Sequence, residues 1–133
     1  MMPSIFTKII EGEIPSFKIA EDEKHYAFLD INPSAEGHTL CIPKKEVDYI
    51  FALEPEELSD LNLFAQKVAK GIDAALEPIR TGIIVEGMEV PHAHIHLIPI
   101  YKETQRFSLG KQVGVSQDRM MELAKIISEK VTI

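Results

Sequence analysis

Val90-Pro91-His92-Ala93-His94-Ile95-His96-Leu97-Ile98-Pro99 alternates histidine with apolar residues through its middle. In a strand, successive side chains point to opposite faces. His92, His94 and His96 then share one face, and Ala93, Ile95 and Leu97 share the other. The apolar face calls for a core beneath it. The imidazole face has no packing reason to exist. Each ring carries donors and acceptors that must be satisfied, and each titrates near neutrality and would repel its charged neighbours. A chemical use accounts for three alternating histidines better than a decorative polar surface does.

Working outward from this stretch, residues 92–98 and 82–85 read as two strands. Upstream of them, Pro55–Leu76 has the clearest helical period, with Leu58, Leu61, Ala65, Val68, Ala69, Ile72 and Leu76 in one stripe. Pro55 suits its first turn. Residues 17–20, 26–29 and 38–42 read as three more strands, the first two around a turn at 21–24 and the third stopped by Pro43. Ser4 can cap a short first helix whose apolar face is Ile5, Phe6, Ile9 and Ile10. Ser116 can cap a last one packed through Met120, Leu123, Ala124 and Ile127. The stretch 101–115 has no period and reads as loop. The order is helix, three strands, helix, two strands, helix. Short strands joined by hairpin-length turns predict an α+β fold, an antiparallel five-stranded sheet with helices packed on it.

The 133 residues suit one domain spanning 1–133, with a core at 4–100 and a C-terminal loop and helix at 101–133. The apolar runs are too short for a bilayer span, which needs roughly 20 residues. No leader pattern opens the chain. A lone cysteine, Cys41, permits no internal disulfide and sits in an apolar run as a small core residue. These features predict a cytoplasmic protein without a membrane partner. The net charge of −7 repels nucleic acid. It leaves room for a small anionic substrate held by a local positive potential.

Two chemistries fit the histidine run. His-x-His on a strand can present two nitrogens to a metal ion, with Asp30, Glu86 or Glu89 as further ligands. Alternatively, an imidazole can attack phosphorus and form a reactive phospho-imidazole, splitting one displacement into two. The second chemistry needs several imidazoles with distinct roles, since the attacking ring must hold its own proton on the far nitrogen while its neighbours bind phosphate oxygens.

His92-Ala-His94-Ile-His96-Leu-Ile resembles the histidine triad (HIT) signature, in which each histidine is followed by an apolar residue. Three upstream segments are similar to the same superfamily: Phe6-Thr-Lys-Ile-Ile-Glu-Gly-Glu-Ile-Pro15, Ala27-Phe-Leu-Asp-Ile-Asn-Pro33 and Gly37-His-Thr-Leu-Cys-Ile-Pro-Lys44. The likeness runs from residue 4 to about residue 100 and points to the bacterial, nucleoside-phosphoramidase-like branch. It implies a HIT-like fold and a nucleotide hydrolase or transferase acting at the α-phosphorus of a purine nucleoside monophosphate conjugate. In that reading His94 is the nucleophile that becomes nucleotidylated. The His92 carbonyl accepts its other proton, His96 contacts the phosphate and leaving group, and His38 supports the cluster. Asp30 holds the ribose, and Ile5, Phe6, Ile9, Ile14, Phe28 and Ile31 line the base pocket. Glu89 stands where many members carry a serine associated with the leaving group. Ser4, Thr7 and Glu46 stand where some bacterial members bind structural zinc, so neither metal nor cofactor is expected. The resemblance also implies a homodimer. Lys102, Arg106 and Lys111 are candidates to meet a substrate tail, on a loop read as solvated. Two rival readings are a nucleotide-binding module with little turnover and a His-rich metalloprotein.

Overall fold

A computed structural model describes residues 3–133. In chain order the elements are α1 (Ile5–Ile10), β1 (Lys18–Glu21), β2 (His25–Leu29), β3 (Thr39–Pro43), α2 (Pro55–Leu76), β4 (Arg80–Ile84), β5 (Ile95–Ile100) and α3 (Gln117–Ser128). A single 3-10 turn at Ile50–Ala52 leads into α2. The helices start where their side chains can satisfy free N–H groups. The Ser4 hydroxyl accepts from the Thr7 amide, and the Ser116 hydroxyl from the Arg119 amide. Glu54 and Glu57 form a reciprocal capping box at the head of α2.

The strands form one antiparallel sheet in the order β1-β2-β3-β5-β4. Its two faces are used differently. On one, Ile19, Ala27, Leu29, Cys41, Ile95 and Leu97 pack against Leu61, Phe64, Ala65, Val68 and Ile72 of α2 and against Met120, Leu123, Ala124 and Ile127 of α3. On the other, Tyr26, Phe28, Leu40 and Ile42 meet Phe6 of α1. Helix α1 is only six residues long and covers only part of that face. The uncovered part is where the site lies.

Three sequence expectations change in detail. The strand expected over 92–98 begins only at Ile95. Cys41 pairs with Ile95, so continuing the ladder would set Ile42 against His94 and Pro43 against Ala93. Pro43 has no N–H to give, and its carbonyl accepts from the His92 ring instead. The Ala93 amide turns away to the Val47 carbonyl. The alternation of faces nevertheless persists, with Ala93, Ile95 and Leu97 all in the helix-side core. Second, Pro43 is the last residue of β3, one position later than expected. Third, the buried stripe of α2 also includes Phe64 and Gly71. Phe64 stacks on His25 with ring centroids 5.0 Å apart.

Helix α3 is integral to the core, since Leu123 and Ile127 are fully buried. Leu123→Ala should lower the free energy of unfolding by about 2–5 kcal/mol. Its denaturant midpoint should fall accordingly, and an unchanged midpoint would show that α3 is not docked this way.

Candidate active site

The hydrogen bonds around the histidines assign every ring a tautomer. His94 Nδ1 lies 2.7 Å from the His92 carbonyl oxygen, which can only accept. Nδ1 therefore carries the proton, and Nε2 keeps a bare lone pair. His92 is fixed the same way, its Nε2 donating to the Pro43 carbonyl at 2.7 Å. Its Nδ1 accepts from the Ser4 hydroxyl at 2.8 Å. Behind Ser4, the Ser4 amide and the Thr7 hydroxyl both donate to Glu46 Oε1 at 2.6 Å. His92 thus braces the N-cap of α1 against the end of β3.

His38 and His96 form the second half of the cluster. The Ser34 amide donates to His38 Nδ1 at 3.0 Å, so the His38 proton sits on Nε2. That N–H reaches His96 Nδ1 at 3.0 Å, with Asp30 Oδ2 3.5 Å away. His96 Nδ1 is then the acceptor, and His96 Nε2 holds a proton to donate. The site presents one bare nitrogen, on His94, beside one N–H donor, on His96. The two rings meet edge to face with centroids 4.8 Å apart. Phe6 sets its own ring edge-to-face with His94 at 5.1 Å.

Burial keeps these rings neutral. It lowers His94 and His92 below the ordinary 6.5, against the opposing pull of their bonds to the backbone carbonyls. It takes His38 down to about 4. His96 falls to about 3 through burial and the neighbouring imidazoles His94 and His38. The short approaches to Asp30 are therefore contacts of neutral imidazoles with a carboxyl. Burial in turn raises Asp30 above the carboxylate norm, opposed by the Asn32 amide and reinforced by the charge of Glu89.

His94 and His96 open onto a cavity of about 460 Å³. Ile5, Phe6, Ile9, Ile14, Phe28 and Ile31 all line it, as do Asp30 and Glu89. The two groups separated in sequence, an apolar wall and a polar end, therefore meet in one hollow. His92 and His38 do not touch the cavity and act from behind it. Sequence reasoning missed Leu40, Met88, Val90, Leu109 and Gly110 as lining residues. Of Lys102, Arg106 and Lys111, only Lys111 borders it. Nothing in the aperiodic stretch 101–115 signals this, because the loop is folded back by contacts distant in sequence.

Asp30, His38 and His96 also make the one cluster with metal-like spacing among the described residues, their ligand atoms lying within 4.8 Å of one another. Its wiring opposes a metal. A ligating His38 Nε2 must be unprotonated, which moves the ring proton to Nδ1 and turns it against the Ser34 N–H. The donor set suits hydrogen bonding to an anion better than holding a cation.

The family model described as HIT domain matches residues 11–103. The chain belongs to the HIT family. It is 40% identical over 107 residues to adenosine 5'-monophosphoramidase HNT1 of Saccharomyces cerevisiae, covering 80% of this chain and 68% of that one. It is 38% identical over 108 residues to Protein hit of Bacillus subtilis, covering 77% and 74%. Among solved structures, a Hit-like protein from Bartonella henselae superimposes with a TM-score of 0.83 at 31% identity, covering 96% of this chain and 95% of that one. The α+β architecture with its five-stranded antiparallel sheet is the HIT fold.

Acid should expose the cost of burying neutral rings in this HIT protein. Unfolded histidine titrates near 6.5, whereas folded His38 and His96 take protons only at about 4 and about 3. Between these limits the unfolded chain binds more protons, so the stability present above pH 6.5 drains away as pH falls. Thermal melts should show this loss between pH 6.5 and 4, and His96→Asn should flatten it. Equal acid sensitivity in the variant would contradict the assignment.

Proposed function

We propose that this HIT protein hydrolyses, or transfers the nucleotidyl group of, purine nucleoside monophosphate conjugates, acting at the α-phosphorus. The observation that carries the reading is the bare Nε2 of His94, held facing a cavity with a neutral N–H donor beside it. Relatives named adenosine 5'-monophosphoramidase at 33–40% identity support the substrate class. A phosphoramidate conjugate is the first candidate and a dinucleoside polyphosphate the second.

In the first step His94 Nε2 attacks phosphorus. An N–P bond forms, the bond from phosphorus to the leaving group breaks, and the leaving group takes up a proton from solvent, which the water that attacks in the second step gives back. The His94 ring gains positive character, which the His92 carbonyl stabilises through the Nδ1 proton. His96 Nε2–H donates to a phosphoryl oxygen or to the departing atom. Water then attacks phosphorus, the N–P bond breaks, and the nucleoside monophosphate leaves with a regenerated imidazole. His38 holds His96 in the donor tautomer throughout. Asp30 binds the ribose hydroxyls, and the apolar wall of Ile5, Phe6, Ile9, Ile14, Phe28 and Ile31 takes the base. Glu89 at the rim disfavours an anionic leaving group by charge repulsion.

The same reading carries a single domain over the whole chain, supported by the packing of α3 into the common core. It carries a cytoplasmic location, where a buried thiol such as Cys41 stays reduced. No helix among the described residues is long and apolar enough to cross a membrane. It also carries a homodimer, supported by the edge position of β4 and by the exposure of Ile83 on it and Leu63 on α2, at 58% and 53%.

His94→Ala should cut turnover of an adenosine phosphoramidate by roughly three or more orders of magnitude, as expected when a covalent nucleophile is lost. Nucleotide binding should survive, and mass spectrometry of a quenched single turnover should show adenylylated wild type and unmodified variant. Asp30→Ala should instead weaken nucleotide binding. Near-normal turnover in His94→Ala would end the mechanism, while binding without any trapped intermediate in wild type would favour a binding module.

A further inference from the structure

The cavity poses an electrostatic problem that the triad does not solve. Its charged lining consists, among the described residues, of Asp30, Glu86, Glu89 and Lys111. A nucleotide brings at least one further negative charge on its phosphate. The imidazoles that face it are neutral at physiological pH, because burial has pushed their titration down. They offer a hydrogen bond and no countercharge. An anion moved from water into a hollow edged by carboxylates is strongly disfavoured unless a cation stands nearby.

We propose that Lys111 is the phosphate-binding residue of this pocket, supplying the positive charge that the nucleotide's phosphate meets there. The proposal rests on the reading that the pocket takes a nucleotide. Lys111 is the one cation in the lining among the described residues. Lys18, Lys44, Lys45 and Arg119 are engaged with carboxylates, whereas Lys111 forms no ion pair with a described residue. Its ammonium is left for a ligand.

The backbone that carries Lys111 is held in place. The Ser34 hydroxyl donates to the Ser108 carbonyl at 2.7 Å and to the Gly110 carbonyl at 3.1 Å. The Gln112 amide donates to the Pro33 carbonyl at 3.1 Å, and the Gln112 side chain donates to the Ser108 carbonyl at 2.9 Å. Gly110 makes the turn at φ 101°, a left-handed conformation that favours glycine. Both neighbours of Lys111 are thereby tied to the Pro33-Ser34 loop, just beyond Asp30. The same loop delivers the Ser34 amide to His38, so one short segment anchors both the lysine and the histidine relay. This region lies beyond residue 103, where the match to the family model ends.

The test is a comparison of AMP and adenosine binding by calorimetry in wild type, Lys111→Gln, Lys111→Arg and Lys111→Glu. Adenosine shares every contact except those to the phosphate. Lys111→Gln should weaken AMP by about tenfold or more, the size of one lost charge-assisted hydrogen bond, and leave adenosine within about twofold. Lys111→Arg should keep AMP within about threefold of wild type, and Lys111→Glu should lose more than the glutamine variant. Raising the salt should weaken AMP in wild type and not in Lys111→Gln. An AMP-to-adenosine ratio that is unchanged in Lys111→Gln would overturn the role of Lys111 alone. Wild type that binds neither molecule would overturn the nucleotide reading, and Lys111 with it.

Discussion

The 2.7 Å hydrogen bond from His94 Nδ1–H to the His92 carbonyl oxygen is the constraint around which the site is arranged. A backbone carbonyl cannot give a proton, so it dictates which nitrogen of His94 is protonated. It thereby leaves the opposite nitrogen, the one facing the cavity, with a free electron pair. For the bond to hold, the carbonyl itself must not move. His92 is accordingly fixed at both ring nitrogens, to β3 on one side and to the cap of α1 on the other. The Glu46 carboxylate ties down the residues that hold that cap, Ser4 and Thr7. A network of ordinary side chains does the bracing here, and it links the first helix to the first histidine of the triad.

The sheet makes this possible by having two unlike faces. The face under α2 and α3 is a filled apolar core, which fixes the backbone of β3 and β5. The opposite face is only partly covered by α1, so side chains there keep access to solvent and ligand. His96 and Leu40 stand opposite each other across β3 and β5, one at the polar end of the hollow and one on its apolar wall. Rigidity on one side and vacancy on the other come from the same two strands. Burial then does a second thing. It makes charging the imidazoles costly, so His94 presents a neutral acceptor nitrogen and His96 a neutral donor.

That neutrality shifts the burden of charge onto the rim. In a chain with a net charge of −7, the cavity edge carries carboxylates at positions 30, 86 and 89 and an ammonium at 111. On the proposed reading, an anionic ligand of this acidic protein meets its positive charge at Lys111, while the overall charge repels other polyanions.

Much of this was legible in the chain alone. The histidine alternation with Ala93, Ile95 and Leu97 separated the imidazole face from the apolar one that packs into the core, because side-chain direction in extended chain has a period of two. Helices α2 and α3 followed from their spacing and from Ser116, since helical period and N-capping are local properties. Asp30 and the apolar wall were found through their motifs. The tautomers were out of reach, because each depends on a partner such as Pro43, Ser4 or Ser34 that only folding brings within 3 Å or so. The late start of the strand, at Ile95, was equally hidden, being set by what Pro43 across the sheet cannot donate. Lys111 was one of three cations the chain offered, with Lys102 and Arg106, on a loop that has no period to read. Its place at the cavity is decided by hydrogen bonds to residues more than 70 positions away, so only the tertiary structure could single it out.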